Sequence, residues 1–246
     1  MGSTSAFPEA ADWPTDAAAL ETLQHRLAAM DPAPWRPAAP LRVGACFVCF
    51  AEDAEALARG AEPAWAAAVT FAGGRRVDAA VVAGTTAAAY APGLLALRAG
   101  PLLERAVGRL TLRPDVLLVD ATGRDHPRRA GLALHLGAAL DLPTVGVTDR
   151  ALVADGPTAA WPEAPEPLTV DGEVVAFCLR SRLGARPVVV HAAWCTDSAV
   201  ALAVVRSVAG TARTPGPLRE ARRLARTARA VALGQAPRPP GDPSPD

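Results

Sequence analysis

The sequence predicts a single-domain α/β fold, a mixed sheet flanked by helices, and three observations point there. Val116 to Val119 is continuously apolar with β-branched residues at both ends, the mark of a strand covered on both faces. Upstream lie three strand-like runs, the last two joined by Gly73-Gly74, which reads as a hairpin. Downstream, helical and strand patterns alternate, the order that builds parallel neighbours in a sheet.

Taken in order, the chain opens with a polar lead-in, Met1 to Pro14, that is expected to fray. From Asp16, the apolar residues Leu20, Leu23, Leu27 and Met30 fall at helical spacing, and Asp31-Pro32 ends that run. Ala33 to Pro40 is a proline-rich, stiff connector. Strands follow at Leu41 to Phe50, Trp65 to Phe71 and Arg75 to Ala83, then a loop from Thr85 to Pro92 and a helix from Leu94 to Leu110. Val116 to Asp120 is the fourth strand, a helix starts at Pro127, and Pro143 to Val147 is the fifth strand. Gly156 to Pro167 reads as a surface excursion, and Val170 to Cys178 with Pro187 to His191 as a hairpin. Helices close the chain at 197–208 and 215–233. Three antiparallel strands followed by this alternation correspond to a ribonuclease H-like sheet. The expected organisation is an N-terminal helix and connector (1–40), one domain (41–234) and a disordered tail (235–246).

Composition narrows the function classes. Half of the residues are apolar, enough for a sizeable core, and the formal net charge is zero, so contact with nucleic acid must come from local patches. Lysine is absent, so every long basic side chain is Arg. Four cysteines in apolar settings do not make a disulfide scaffold, and the acidic N-terminus is unlike a signal peptide. A cytoplasmic protein without a membrane span is the expectation.

The most informative stretch is Pro114 to Gly137. It delivers Asp120 to the end of a buried strand, where ligands of α/β proteins bind, and then turns through His126-Pro127-Arg128-Arg129. His126, Arg128 and Arg129 suit either a phosphate grip assisted by a helix N-terminus or a structural hinge that keeps the loop in shape. His135 sits at apolar helical spacing and reads as a packed core residue. Arg219, Arg222, Arg223, Arg226 and Arg229 form a basic stripe on the last helix. That stripe is either a surface for a nucleic-acid backbone or a solvated face.

With its His-Pro-Arg-Arg corner, this stretch resembles the endonuclease V family. Tyr90-Ala91-Pro92-Gly93-Leu94-Leu95 resembles the family's wedge loop, Pro143 to Val147 its following strand, and Asp197-Ser198-Ala199 its last acidic helix start. The resemblance implies a nuclease acting near deaminated (inosine) bases in DNA repair, on single- or double-stranded nucleic acid, with Mg²⁺ or Mn²⁺ as cofactor. It assigns Asp120 and Asp197 as metal ligands and catalytic acids, and Tyr90, Pro92, Gly93, Arg128 and Arg129 to nucleic acid, with Tyr90 filling the gap left by a flipped base. From the residues alone, Thr196 or Asp197 reads equally as an N-cap for the helix from Ser198.

The family pattern is also broken. Cys46 stands where the family has an Asp, Ala99 where it has a Glu, and Asp149 where it has a Lys. The family's His falls at Ala192, beside His191. Two-metal phosphodiester cleavage needs converging oxygen ligands, and a thiol suits soft metals instead. Losing one transition-state contact costs about 10² to 10³ in rate, so cleavage is expected to be weak or lost, with Mg²⁺ or Mn²⁺ as cofactor if active and none otherwise. Two readings of Cys46 stay open: a catalytic thiol beside His126 serving a small-molecule reaction, or a small buried hydrophobe. A non-catalytic nucleic-acid-binding protein is the remaining alternative.

Overall fold

The computed structural model describes residues 12–58, 61–86, 88, 91–156, 163–181 and 184–236. Helix α1 (Ala17–Ala29) begins where Asp16 accepts the Ala19 amide at 2.8 Å, satisfying a donor that a helix start leaves open. Strands β1 (Arg42–Phe50), β2 (Pro63–Ala72) and β3 (Arg75–Thr85) form an antiparallel meander, with the short α2 (Ala54–Ala58) between the first two. The hairpin into β3 places Gly73 and Gly74 at φ +56° and +75°, a left-handed pair that side chains resist.

Next come α3 (Leu95–Gly108), β4 (Val116–Val119), α4 (Leu132–Leu140) and β5 (Thr144–Thr148). Strands β6 (Glu166–Val170), β7 (Glu173–Leu179) and β8 (Val188–Ala192) precede α5 (Ser198–Ser207) and α6 (Gly216–Ala232). All eight strands join one sheet in the order β3-β2-β1-β4-β5-β8-β7-β6. β4 lies parallel to β1 and β5, and β8 runs against β5. The mixed sheet is thus the one the sequence predicts.

Alternation along the strands sorts their side chains into two cores. Leu117 and Val119 pack with α1, α3 and α4, whereas Val116 and Leu118 pack with α5 and α6. Helices therefore cover both faces of the central strands, which explains why β4 carries no polar residue.

Three local expectations change. The helix expected from Pro127 begins at Leu132, because Arg129 takes a left-handed φ of +57° and Gly131 is extended. β6 starts at Glu166, inside the stretch whose prolines suggest a loop, and it pairs with β7. Trp13 does not fray: its Nε1 donates to Glu104 at 2.7 Å, and its ring stacks on His135 at 4.3 Å over Gly100.

Two outcomes follow for stability. Leu117 is fully buried between the sheet and the helices, so Leu117→Ala is expected to cost about 2 to 5 kcal/mol in urea unfolding. Burial lowers the His135 pKa from 6.5 to about 4. As pH falls through that window the unfolded chain takes up the proton and the folded chain does not. Stability is therefore lost on acidification, by up to about 3 kcal/mol from this group, and is unaffected by it above pH 7. Thermal unfolding of His135→Phe across the same range should show a correspondingly smaller acid slope.

Candidate functional site

Asp120 is the first residue past β4, at the carboxyl end of the parallel strands, and it borders two cavities. Its carboxylate is not open. Arg222, reaching over from α6, donates from Nε to Oδ2 at 3.1 Å and from Nη2 to Oδ1 at 3.0 Å. This is the paired fork geometry in which guanidinium and carboxylate bind most strongly. Leu218, Ala221 and Ala225 bury the other side of α6 against the sheet, so Arg222 is delivered by a packed helix.

Within the basic stripe Arg222 and Arg229 are half-buried, whereas Arg219, Arg223 and Arg226 stay exposed. Arg229 donates to the Phe50 carbonyl and pairs with Glu52 at 2.8 Å, Arg223 pairs with Glu220 at 2.8 Å, and Arg226 lies 5.6 Å from the Phe47 ring. Arg222 stands at the same distance from that ring.

Cys46 lies beside Val119 in the β1–β4 register and borders the same cavity as Asp120. It is fully buried, and burial followed by the charge of Asp120 drives its thiol far up from the ordinary range. A buried thiol held protonated is no nucleophile, so the geometry supports the space-filling reading of Cys46. Ala99 is fully buried and offers no ligand, while Arg98 turns to an ion pair with Glu62 and stacks on Phe50 at 3.9 Å. The sequence reading missed Glu62, a buried carboxylate that its numbering does not connect to the site. Its Oε1 already accepts the Glu52 and Asp53 amides and its Oε2 the Arg98 guanidinium, so it is not available as a substitute ligand.

Beside Asp120 opens a second cavity of about 250 Å³, bordered by Gln24, Gly93, Thr122, His126, Thr148 and Leu152 among others. Pro92 and Gly93 form the turn before α3, with Gly93 at φ +75°. His126 is buried; its Nδ1 accepts the Arg128 amide at 3.2 Å, and burial, then the Arg128 charge, lower its pKa. It is therefore a neutral side chain at the cavity wall. Arg128 is committed to a clamp with α1: Nε donates to Gln24 at 2.6 Å, Nη2 to the Gly93 carbonyl at 3.3 Å, and Glu21 is 3.4 Å away. Arg129 pairs with Glu173. Neither arginine sits at a helix N-terminus, because α4 begins later. Tyr90 lies outside the described residues.

Asp197 is not brought to Asp120. β8 is antiparallel to β5 and pairs Ala192 with Val145, so the chain leaves β8 at the end of the sheet where β4 and β5 begin. There Thr196 donates to the Thr144 carbonyl at 2.7 Å, and Asp197 caps α5 through the Val200 amide while pairing with Arg36 at 2.9 Å. Asp149 pairs with Arg213 at 2.7 Å. His191 is buried, with Nε2 2.7 Å from the Thr148 hydroxyl and Nδ1 3.5 Å from Asp125; burial lowers its pKa to about 4. Asp125 in turn accepts the amides of Leu152, Val153 and Ala154, tying that loop to the cavity wall.

The residues gathered at Asp120 do not fit a divalent ion. Among the described residues no three His, Cys, Asp or Glu side chains are placed to hold a metal, and the one carboxylate at the strand end is held by a guanidinium. Cys46 should stay unmodified by iodoacetamide in the native protein and react only in denaturant; native labelling faster than that of a free thiol would contradict its burial.

Residues 37–223 match the family model for endonuclease V. The chain is 40% identical over 159 residues to an endonuclease V of Nocardia farcinica, covering 64% of this chain and 70% of that protein. It is 43% identical over 139 residues to that of Geotalea uraniireducens, covering 55% and 58%. Among solved structures, Streptomyces avermitilis endonuclease V superimposes with a TM-score of 0.79 at 30% identity, over 90% of this chain and 96% of that one. The catalytic domain of human endonuclease V gives 0.78 at 27% identity, over 89% and 98%. A Ciona intestinalis endonuclease V, solved with a 24mer DNA containing an inosine followed by a ribo-adenosine, shares the fold with a TM-score of 0.72 at 19% identity. With its sheet order, its Asp120 strand end and a family match over most of its length, this chain belongs to the endonuclease V family.

Proposed function

We propose that the protein recognises deaminated, inosine-type bases in single- or double-stranded nucleic acid, and that it cleaves the strand weakly or not at all. Endonuclease V enzymes depend on a divalent metal. The observation that carries the loss of cleavage is the engagement of both Asp120 oxygens by Arg222. A doubly charged ion placed about 4 Å from that guanidinium is repelled by about 8 kcal/mol at an effective dielectric near 20, which offsets about half of its attraction to a carboxylate oxygen about 2 Å away. Neither Cys46 nor Ala99 supplies the oxygens that Mg²⁺ or Mn²⁺ requires.

Recognition is supported by the cavity beside Asp120. Its walls offer apolar contact from Leu132 and Leu152 and polar atoms from Thr122 and His126, a mixture suited to a base turned out of its stack. The Pro92-Gly93 turn is proposed to face the nucleic acid, and Tyr90 keeps the nucleic-acid-binding role that the family resemblance implies. A cytoplasmic location accords with the free cysteines. The alternative of a thiol-dependent small-molecule reaction is disfavoured by the burial of Cys46.

In a gel-shift titration the protein should retain an inosine-containing oligonucleotide more tightly than its adenosine counterpart. The same strand incubated with Mg²⁺ or Mn²⁺ should remain uncut. Rapid nicking that Asp120→Ala abolishes would overturn the proposal.

A further inference from the structure

We infer that Arg222 is a resident cation that stands in for the metal at Asp120, so that this cleft grips a phosphate of the bound strand without any divalent ion; the inference rests on the strand-binding reading above. The site's charge balance leads to it. Among the described residues that border this cavity Asp120 is the single carboxylate, Arg222 neutralises it, and the neighbouring Cys46, Phe47, Leu95 and Leu132 carry no charge. A cleft of several free carboxylates would repel a phosphodiester until metal arrived. This one presents a compensated pair instead.

The guanidinium has donors to spare. Of its five N–H groups, the carboxylate occupies one on Nε and one on Nη2, while Nη1 has only a 3.5 Å approach to the Thr214 hydroxyl. Its side chain keeps 23% of its surface exposed beside Asp120, which borders the cavity. Its position is fixed from three sides: by Asp120, by the Phe47 ring and by the buried face of α6. A charge held in place before the ligand arrives loses little freedom on binding.

Two measurements on the full chain test this. The first is Mn²⁺ uptake followed by electron paramagnetic resonance on the free protein. Wild type should take up no stoichiometric Mn²⁺, whereas Arg222→Glu, which puts a second carboxylate beside Asp120, should gain a site that Arg222→Glu/Asp120→Asn lacks. Wild-type uptake that disappears in Asp120→Asn would overturn the inference. The second is fluorescence anisotropy of a labelled inosine-containing single strand. Wild-type affinity should agree within about twofold between EDTA and Mg²⁺. Arg222→Ala should weaken it about tenfold or more in both and flatten its salt dependence by about one phosphate contact, with Arg222→Lys restoring part of the loss. Circular dichroism checks that the variants fold. Wild-type binding that collapses in EDTA, or is indifferent to Arg222→Ala, would overturn the inference while leaving strand recognition intact. Absence of strand binding under both conditions would instead remove the reading on which the phosphate grip rests, and the Mn²⁺ result would still decide whether Arg222 excludes metal.

Discussion

The ion pair between Asp120 and Arg222 is the constraint on which the functional site depends. Sheet topology brings an acid to the carboxyl end of β4, as in any α/β protein that binds a ligand there. What the acid does is then decided by its partner. A carboxylate free at that position is half of a ligand set; one gripped by a guanidinium is a neutral fixture. Because the two residues are 102 positions apart in sequence, the pair also pins α6 across the sheet. The helix that encloses one core thus also determines the electrostatics of the cleft.

The surroundings are consistent with that partner. Removing a metal from a cluster of acids would leave uncompensated charge in a partly buried place, which is costly. Here each candidate is neutral or already partnered: Cys46 stays a thiol, Ala99 closes against the core, Glu62 is tied to Arg98, and Glu52 to Arg229. The carboxylates of Glu52, Glu62 and Asp120 are each paired with an arginine. Beside it the second cavity keeps its shape through unrelated ties, Gln24 to Arg128 on one side and Asp125 to the 152–154 amides on the other. Leu95, Asp120 and Leu132 border both spaces, but the ties that shape the second cavity do not involve Arg222.

How much of this was legible depends on the range of the interactions. The β4 strand and the Asp at its end could be read because burial on both faces and the apolar run are local signals. The Gly73-Gly74 hairpin and the helical spacing that follows Asp16 are legible for the same reason. The direction of β8 was not: pairing it against β5 sends Asp197 to the opposite end of the sheet, where it caps α5, a role its sequence context equally allows. The His126-Pro127 corner looked like a helix start, but the left-handed backbone of Arg129 delays that start. Arg222 had no signal beyond membership of a basic stripe, since helical spacing shows which residues share a face and not what that face meets. Cys46 and Ala99 could be read as departures from the family pattern, whereas the side chain that meets Asp120 is visible only in the packing.

The most direct measurement is anomalous diffraction from crystals soaked in Mn²⁺. If Arg222 has taken the place of the metal, the maps will show its guanidinium forked onto Asp120 and no anomalous peak beside that carboxylate. A Mn²⁺ peak within coordination distance of Asp120, with Arg222 swung away, would contradict it.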